Sequence, residues 1–120
     1  MPPFKPWDIV KVPFPYTDRP VRQRRPALVV AAGELETHHN LVWLLMITSA
    51  GSGDWPTDVP VSDLAAAGLP APSVIRTAKI AAIDPRDAEP LGTLPEIDRP
   101  AVATHLIAHL ASIVATAQDT

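Results

Sequence analysis

The distribution of proline is the feature of this sequence that most constrains its fold. All 15 prolines lie at or before Pro100, and none occurs after it. Because proline fixes φ and has no backbone N–H, it is poorly tolerated inside helices and central strands. The sequence therefore predicts a body of short strands and turns, and it leaves the C-terminal segment free to form one long helix.

The alternation and length of the apolar runs predict where the strands lie. Strands are expected over residues 8–13, 26–32, 41–48, 59–61, 73–76 and 79–83. The polar, proline-bracketed segment 14–25 is expected to be a loop. Asp63 can cap a short helix over residues 64–67, which Gly68 is placed to end, and residues 84–87 are expected to form a turn.

The C-terminal helix is predicted to begin at Asp98, whose side chain can cap the first turn while Pro100 is tolerated there. Five apolar residues follow at helical spacing and predict one apolar stripe: Val102, Leu106, Leu110, Ile113 and Ala117. The pattern predicts a mainly β fold with helices, a small barrel-like twisted antiparallel sheet packed by the C-terminal α-helix. Residues 1–120 fit a single domain, with residues 1–6 as a flexible N-terminus.

Composition excludes several classes of protein. A hydrophobic content of 47% excludes a disordered chain. The absence of cysteine excludes a disulfide framework and a thiolate metal site, and it suits a reducing cytoplasm. The N-terminus has no apolar run that could serve as a signal sequence, and no apolar stretch is expected to approach the roughly 18 residues of a membrane span. A cytoplasmic protein that does not enter a membrane is therefore expected.

Arginine is concentrated in one segment of an acidic protein. Four arginines lie within residues 19–25, whereas the whole chain has a formal net charge of −3. The guanidinium fork matches the geometry of phosphate and keeps its charge at any biological pH. This local concentration predicts a polyanionic ligand.

Four short motifs occur in order along the chain: Asp8-Ile9-Val10, Arg25-Pro26-Ala27-Leu28-Val29, Ile47-Thr48-Ser49, and Ser73-Val74-Ile75-Arg76 leading to Ile83-Asp84. In this order they resemble the MazF/PemK (Kid) family of type II toxins. The similarity runs from about Trp7 to Ile113. Each motif is weak alone, and it is their order and spacing that carry the resemblance.

The resemblance implies both a fold and an activity. The implied fold is an SH3-like (PemK-type) barrel that forms a homodimer. The implied activity is that of a toxin that cleaves single-stranded RNA, namely mRNA, with no metal or other cofactor. In such an endoribonuclease the 2′-hydroxyl attacks the adjacent phosphate and leaves a 2′,3′-cyclic phosphate and a 5′-hydroxyl. A cognate antitoxin protein is the implied partner.

Three residues match positions that the resemblance assigns to catalysis. Arg25 is the candidate for stabilising charge on the phosphate, and Thr48 is the candidate hydroxyl donor. Arg76 matches a functional arginine of the family, but the acidic residue that follows it by two positions is here Ala78. Arg25 or Arg76 would otherwise serve in structural ion pairs, and Thr48 would satisfy a turn. Trp7 replaces the glycine that usually precedes the first-strand aspartate.

Other residues are candidates for holding RNA. Arg19, Arg22, Arg24 and Ser49 are expected to contact the backbone, while Tyr16 and Trp55 are expected to stack on bases. The alternatives are that the arginines solvate a loop and that the aromatic rings serve in packing.

The histidines are assigned no metal. His105 and His109 lie four residues apart on the helix, but no third ligand at motif spacing supports a zinc site, so a structural pair is favoured. His38 and His39 are expected in the loop between the second and third strands, where either would suit proton transfer if it reached the phosphate.

Two other functions remain open at the level of sequence. One is an RNA- or protein-binding module on the same fold, without efficient cleavage. The other is a gyrase-poisoning toxin of the CcdB kind, which is disfavoured because that group relies on a Trp-Gly-Ile-type C-terminal end, whereas this chain ends Ala117-Gln118-Asp119-Thr120.

Overall fold

The computed structural model describes residues 3–15 and 22–117, and within these it contains one six-stranded antiparallel sheet of order β4-β5-β3-β2-β1-β6. The strands are β1 (Asp8–Pro15), β2 (Arg22–Ala31), β3 (Val42–Ser49), β4 (Asp58–Pro60), β5 (Ser73–Ile83) and β6 (Glu89–Thr93). The helices are α1 (Glu34–His39), α2 (Leu64–Ala67) and α3 (Arg99–Ala117), with short 3-10 helices at Pro85–Asp87 and Glu96–Asp98. The predicted fold class is confirmed. The described sheet is not closed, because β4 and β6 lie at its two ends.

Successive residues of the central strands are buried on opposite faces of the sheet, as strand geometry requires. One buried cluster, on the Leu44 face, contains Val10, Val12, Ala27, Val29, Val42, Leu44 and Met46, together with Phe4, Ala32 and Ala88. The other cluster, on the Leu45 face, contains Ile9, Leu28, Leu45, Ile47, Val59 and Ile75, and residues of α2, α3 and their flanking loops pack on it. The sheet is therefore apolar on both sides, which explains the near-continuous apolar runs of β2 and β3.

Most predicted elements are present, but several differ from the prediction. The segments 73–76 and 79–83 form one strand, β5, in which the register against β3 shifts between Leu45 and Met46. Strand β6 and helix α1 were not predicted. Strand β6 reads Glu-Pro-Leu-Gly-Thr and is a sheet edge held by β1, so its own residues carry little strand signal.

Within the predicted loop over residues 14–25, the described residues 14–15 and 22–25 belong to strands, so the loop prediction was wrong for them. Strand β1 continues to Pro15 and pairs with β2 from Arg22 onward. Strand β6 pairs with β1 only as far as Lys11, so the prolines beyond it have a partner strand on one side only. Arg22, Arg24 and Arg25 therefore lie on a strand, where neighbouring side chains project to opposite faces.

The N-terminal segment and the start of the long helix have defined partners. Phe4, within the segment expected to be flexible, is buried in the Leu44-face cluster, and its backbone N–H donates to Glu36 Oε1 at 2.9 Å. Helix α3 begins one residue after Asp98, and the Asp98 carboxylate accepts hydrogen bonds from the backbone and hydroxyl of Ser62 at 2.9 and 3.0 Å. Asp98 thus connects the start of α3 to the segment before α2.

Helix α3 buries only its first turns. Val102 is buried and Leu106 packs on the Leu45-face cluster, but Leu110 and Ile113 are 54% and 66% exposed. The predicted stripe therefore does not pack on the sheet over its full length, because the helix extends past it. The segment Glu96–Ala117 is long and apolar enough to cross a membrane by length and composition alone, contrary to the expectation that no stretch approaches that length. The core helix of a soluble protein passes the same test.

Gly68 ends α2 as predicted, and it also fixes where the following loop leaves the helix. Its φ of 73° lies in the left-handed region, and Asp63 caps the other end by accepting from Ala66 N at 3.1 Å. A Cβ at position 68 would overlap the backbone carbonyl of Leu91 in β6. Gly68 therefore provides both a backbone conformation and a close approach that other residues cannot.

We expect Gly68→Ala to lower the free energy of unfolding by about 3 kcal/mol, since it adds a clash to a strained φ. Gly33→Ala, where φ is 50° and nothing lies within 4 Å, isolates the backbone term and should cost about 1 kcal/mol. Gly51→Ala meets neither constraint and should change stability by less than about 0.5 kcal/mol. Equilibrium urea unfolding measures all three. If Gly68→Ala were no worse than Gly33→Ala, the close approach of α2 to β6 would be wrong.

Candidate functional site

Strand register brings two of the predicted catalytic residues together. Strand β2 pairs with β3 through Ala27–Met46, and continuing this register by two residues places Arg25 opposite Thr48. Both lie on the Leu44 face, because Arg25 is two residues from Ala27 and Thr48 is two residues from Met46. Directly opposed residues have Cβ atoms roughly 5 Å apart. A single phosphate can therefore contact both side chains.

Arg25 and Thr48 are both partly exposed. The Arg25 guanidinium donates from Nη2 to Gln23 Oε1 at 3.0 Å, a neighbour on the same side of β2. Among residues 3–15 and 22–117, no group hydrogen-bonds to the Thr48 hydroxyl, and the turn that follows is closed by its own backbone, with Ser52 N donating to Ser49 O at 3.1 Å. Thr48 is thus not used to satisfy that turn and can donate to a ligand.

Arg76, the third predicted catalytic residue, lies on the same face on the next strand. It is paired with Met46, which makes it the diagonal neighbour of Thr48, roughly 7–8 Å away. Its guanidinium is held by a cross-strand salt bridge: Nε donates to Asp58 Oδ1 at 3.2 Å and Nη2 donates to Asp58 Oδ2 at 3.0 Å. Nη2 also donates to the carbonyl of Gly53 at 2.9 Å. The alternative of a cross-strand ion pair is therefore realised in the structure, on the face that carries Arg25 and Thr48.

Trp55 completes this arrangement. The Arg76 Cζ lies 4.1 Å from the centroid of the Trp55 ring, in the geometry of a cation–π contact. Trp55 is still 42% exposed. Part of the ring therefore contacts the guanidinium, and the rest is open to solvent. This is compatible both with the predicted stacking on RNA bases and with the alternative that the ring serves in packing.

Arg24 lies on the opposite side of the sheet from Arg25. It forms an exposed salt bridge with Glu89 of β6 at 3.1 Å. It also lines a cleft of about 350 Å³ together with Lys11, Ser49 and Ser73. Arg25 and Thr48 border the same cleft, which is closed on the other side by residues 68–72. The cleft has basic residues on β1 and β2 and hydroxyl groups on β3 and β5, so it is suited to an anion.

Three further predicted RNA-binding residues receive no side-chain description. Tyr16 and Arg19 lie outside the described residues, and Arg22 is described only as the first residue of β2. The arginine cluster is consequently divided: Arg25 is on the Leu44 face and Arg24 is on the Leu45 face. Their roles in RNA binding stay predictions.

His38 and His39 lie away from Arg25 and Thr48. His38 and His39 form the last turn of α1, next to the start of β3, whereas Thr48 is near its end. Six residues of strand separate Val42 from Thr48, a distance of roughly 20 Å. His109 on α3 instead contacts the Thr77 hydroxyl, with Nε2 at 3.2 Å from Oγ1. Within the described ranges, no group of three side chains that could hold a metal ion is found.

Trp7 adopts a backbone conformation that favours glycine. Its φ of 80° is left-handed, which costs roughly 1–2 kcal/mol for a residue with a Cβ. The backbone is held there by hydrogen bonds from Trp7 N to Val29 O and from Leu94 N to Trp7 O, each 2.9 Å. The ring packs on the Leu45-face cluster and lies 5.6 Å from Arg99 Cζ. Packing at this corner therefore offsets the strain.

Two residues of the site were missed from the sequence. Asp58 lies just before the predicted fourth strand and was not singled out, and Lys11 was counted only as a residue of the first strand. Only the pairing of Asp58 with Arg76, across the β4–β5 ladder, reveals the role of Asp58.

Ala78 lies in an apolar groove with Trp43 and Leu110. Away from the site, the hydrogen bond from the Arg86 side chain lowers the pKa of Asp84, and the Asp84 carboxylate in turn raises the pKa of Arg86.

Comparison with known proteins assigns the class of protein. A family described as PemK-like, MazF-like toxins of type II toxin–antitoxin systems matches residues 5–110. Since this match covers most of the chain, the protein belongs to the PemK/MazF-like toxin family. It is accordingly a MazF-type toxin of a toxin–antitoxin system.

Solved structures show the same fold. MazF from a MazE–MazF complex of Deinococcus radiodurans is 22% identical, with a TM-score of 0.71 over 88% of this chain and 94% of that one. The toxin MazF-mt6 of Mycobacterium tuberculosis is 26% identical, with a TM-score of 0.62 over 85% and 92% of the two chains. An endoribonuclease in complex with its cognate antitoxin, from a mycobacterial species, is 16% identical, with a TM-score of 0.69 over 88% and 93%. Comparison with curated proteins finds no match.

The geometry predicts that two arginines contribute very differently to the free energy of unfolding. In Arg76→Met the Asp58 carboxylate is left buried without its partner, so the free energy of unfolding should fall by about 3–5 kcal/mol. In Arg24→Met an exposed pair is lost, and the change should stay below about 1 kcal/mol. Thermal unfolding followed by circular dichroism provides the comparison. Equal effects of the two substitutions would contradict the burial of the Arg76–Asp58 pair.

Proposed function

We propose that this toxin is a metal-independent endoribonuclease that cleaves single-stranded RNA, with cellular mRNA in the cytoplasm as its target. The observation that supports this proposal most directly is the arrangement on the Leu44 face, where the β2–β3 register continued past Ala27–Met46 places Arg25 opposite Thr48 and Arg76 is diagonal to Thr48. Two guanidinium groups and a hydroxyl group can surround one phosphate there. All three are donors, so the arrangement suits an oxyanion better than a neutral ligand.

The proposed reaction is an intramolecular displacement. The ribose 2′-oxygen forms a bond to the adjacent phosphorus while the bond to the 5′-oxygen of the next nucleotide breaks, giving a 2′,3′-cyclic phosphate and a 5′-hydroxyl. The hydroxyl proton leaves the 2′-oxygen, and a proton is delivered to the 5′-oxygen. Charge increases on the phosphate oxygens in the transition state, so preorganised donors lower the barrier. Arg25 supplies the main stabilising charge, and Thr48 and Arg76 donate to other oxygens of the same group.

The surrounding residues are assigned to holding the strand. The cleft that contains Lys11, Arg24 and Ser49 lies toward the Leu45 face and borders Arg25 and Thr48, so the RNA backbone can reach it from the phosphate that reacts by passing around this end of the sheet. Trp55 lies beside Arg76 with part of its ring exposed and offers a surface on which an unpaired base can stack. Phosphate contacts fix the position of the strand, while base contacts set any sequence preference.

The same surface would bind a cognate antitoxin. Relatives of this fold have been solved as MazE–MazF complexes and as an endoribonuclease with its antitoxin. An acidic segment placed over Arg25 and the adjoining cleft would occupy the phosphate positions and block access of RNA. This partner is proposed from the family and from the positive charge of the cleft.

We also propose that the toxin is a homodimer. An apolar groove of about 500 Å³ runs between β5 and α3, and its lining includes Trp43, Ile80 and Leu110, each more than 40% exposed. The adjoining part of α3, residues 100–117, has no charged side chain. An acidic peptide would form no ion pair on this surface. A second copy of the chain can instead bury this surface against its own equivalent surface by two-fold symmetry.

Cleavage is expected from the wild-type toxin incubated with mixed-sequence single-stranded RNA in excess chelator. The products should carry 2′,3′-cyclic phosphate and 5′-hydroxyl ends, which mass spectrometry distinguishes from other termini. Arg25→Ala should lower kcat by about 100- to 1,000-fold, because it removes a charge that stabilises the transition state. Arg86→Ala, which removes a remote exposed arginine, is the control. Binding without any cleavage by the wild type would favour the RNA-binding module, and cleavage only with added metal would contradict the mechanism.

A charge placed in the groove should separate the dimer. Leu110→Asp is expected to sediment as a monomer of 12.9 kDa at concentrations where the wild type sediments at twice that mass, because an unpaired carboxylate cannot be buried cheaply. Ser112→Asp adds the same charge on another side of α3 and should leave the mass unchanged. A monomeric wild type would show that something other than a second copy covers this surface.

A further inference from the structure

The ion pair at Arg76 differs from the other two described salt bridges of this protein. The side chains of Arg76 and Asp58 are each 10% exposed, whereas those of Arg24 and Glu89 are 42% and 65% exposed and that of Arg86 is 86% exposed. Exposed pairs move freely between paired and unpaired states. The Arg76 guanidinium is held in one orientation by the carboxylate, by the Gly53 carbonyl and by the Trp55 ring.

We infer that Asp58 is the positioning residue of Arg76 in RNA cleavage, an inference that rests on the proposed function. Asp58 binds the side of the guanidinium that carries Nε and Nη2, so both of its oxygens fix the plane of the fork. Among the described residues, none accepts a hydrogen bond from Nη1 of Arg76. Its two N–H groups are therefore the ones left to bind a phosphate oxygen beside Thr48.

Stability alone does not account for this pair. Replacing a buried ion pair by well-packed apolar residues is often neutral or stabilising, because desolvation of two charges offsets their attraction. Asp58 is the first residue of β4, and Arg76 is paired with Met46 at the edge of the Leu44-face cluster, next to the predicted catalytic strand positions. The pair instead fixes the direction of the Arg76 N–H donors, and stabilising a charged transition state requires donors of fixed direction.

Asp58 also has an electrostatic effect that separates positioning from binding. Its negative charge partly cancels the attraction of Arg76 for the RNA backbone. Removing that charge should leave ground-state binding of RNA unchanged or tighter, while the loss of orientation slows the chemical step. A role limited to holding the fold predicts instead that the activity per folded molecule is unchanged.

The test compares Asp58→Asn with the wild type at a temperature where circular dichroism shows both folded. Single-turnover cleavage of mixed-sequence RNA gives the rate of the chemical step, and a 2′-O-methyl RNA of the same sequence, which lacks the attacking hydroxyl, gives Kd. We expect the rate to fall by about 10- to 100-fold, with Kd unchanged or lower. Asp84→Asn, which breaks the exposed pair with Arg86, is the matched control and should change neither quantity.

A second comparison shows whether Asp58 acts through Arg76. In an Arg76→Lys background the fork is already lost, so adding Asp58→Asn should slow the reaction no further. If Asp58→Asn does not fold, Asp58→Glu keeps the charge, displaces the oxygens by one methylene and should also lower the rate with unchanged Kd.

The outcomes separate the inference from the function on which it rests. An undiminished rate in a folded Asp58 variant, or a rate loss that adds fully to that of Arg76→Lys, would overturn the positioning role while the nuclease stands. Absence of cleavage by the wild type would overturn the proposed function and the inference together.

Discussion

The register of β2 and β5 against β3 determines what the site contains. Because side chains alternate between faces with a period of two, a slip of one residue in either pairing would move Arg25 or Arg76 to the opposite side of the sheet from Thr48. The register is fixed by burial on both faces: β3 presents Leu44 and Met46 to one apolar cluster and Leu45 and Ile47 to the other. A slip would expose or displace all of these residues, so packing of the core and assembly of the site are specified by the same pairings.

The buried pair of Asp58 with Arg76 changes how the chain compares with its family. The resemblance places a carboxylate two residues after the arginine, and this chain has Ala78 there. In the structure position 78 lies in the groove beside α3, and the carboxylate on Arg76 comes from β4 instead. The chain therefore has an acid at the guanidinium, although the sequence around Arg76 does not show it.

The sequence predicted the parts of the fold that local chemistry controls. The strands of continuous apolar residues, the Asp63 cap and the Gly68 terminus of α2 all follow from short-range patterns. Strand β6 and the extension of β1 and β2 depend on pairing with distant partners, and for that reason the arginines of residues 22–25 were expected in a loop. The exposure of Leu110 and Ile113 could not be predicted either, since helical periodicity identifies an apolar stripe but not the surface that covers it. For the site, the family resemblance indicated Arg25, Thr48 and Arg76, but the faces on which they lie required the register.

The central claim is that RNA binds on the Leu44 face at the ends of β2 and β3, and the most direct measurement is NMR titration with a single-stranded 2′-O-methyl RNA. The account predicts that the signals of Arg25, Thr48, the Arg76 Nε–H and the Trp55 indole shift together and saturate at one RNA concentration, while those of Arg86 do not move. Shifts confined to α3 and the groove around Trp43, with Arg25 and Thr48 unaffected, would contradict it.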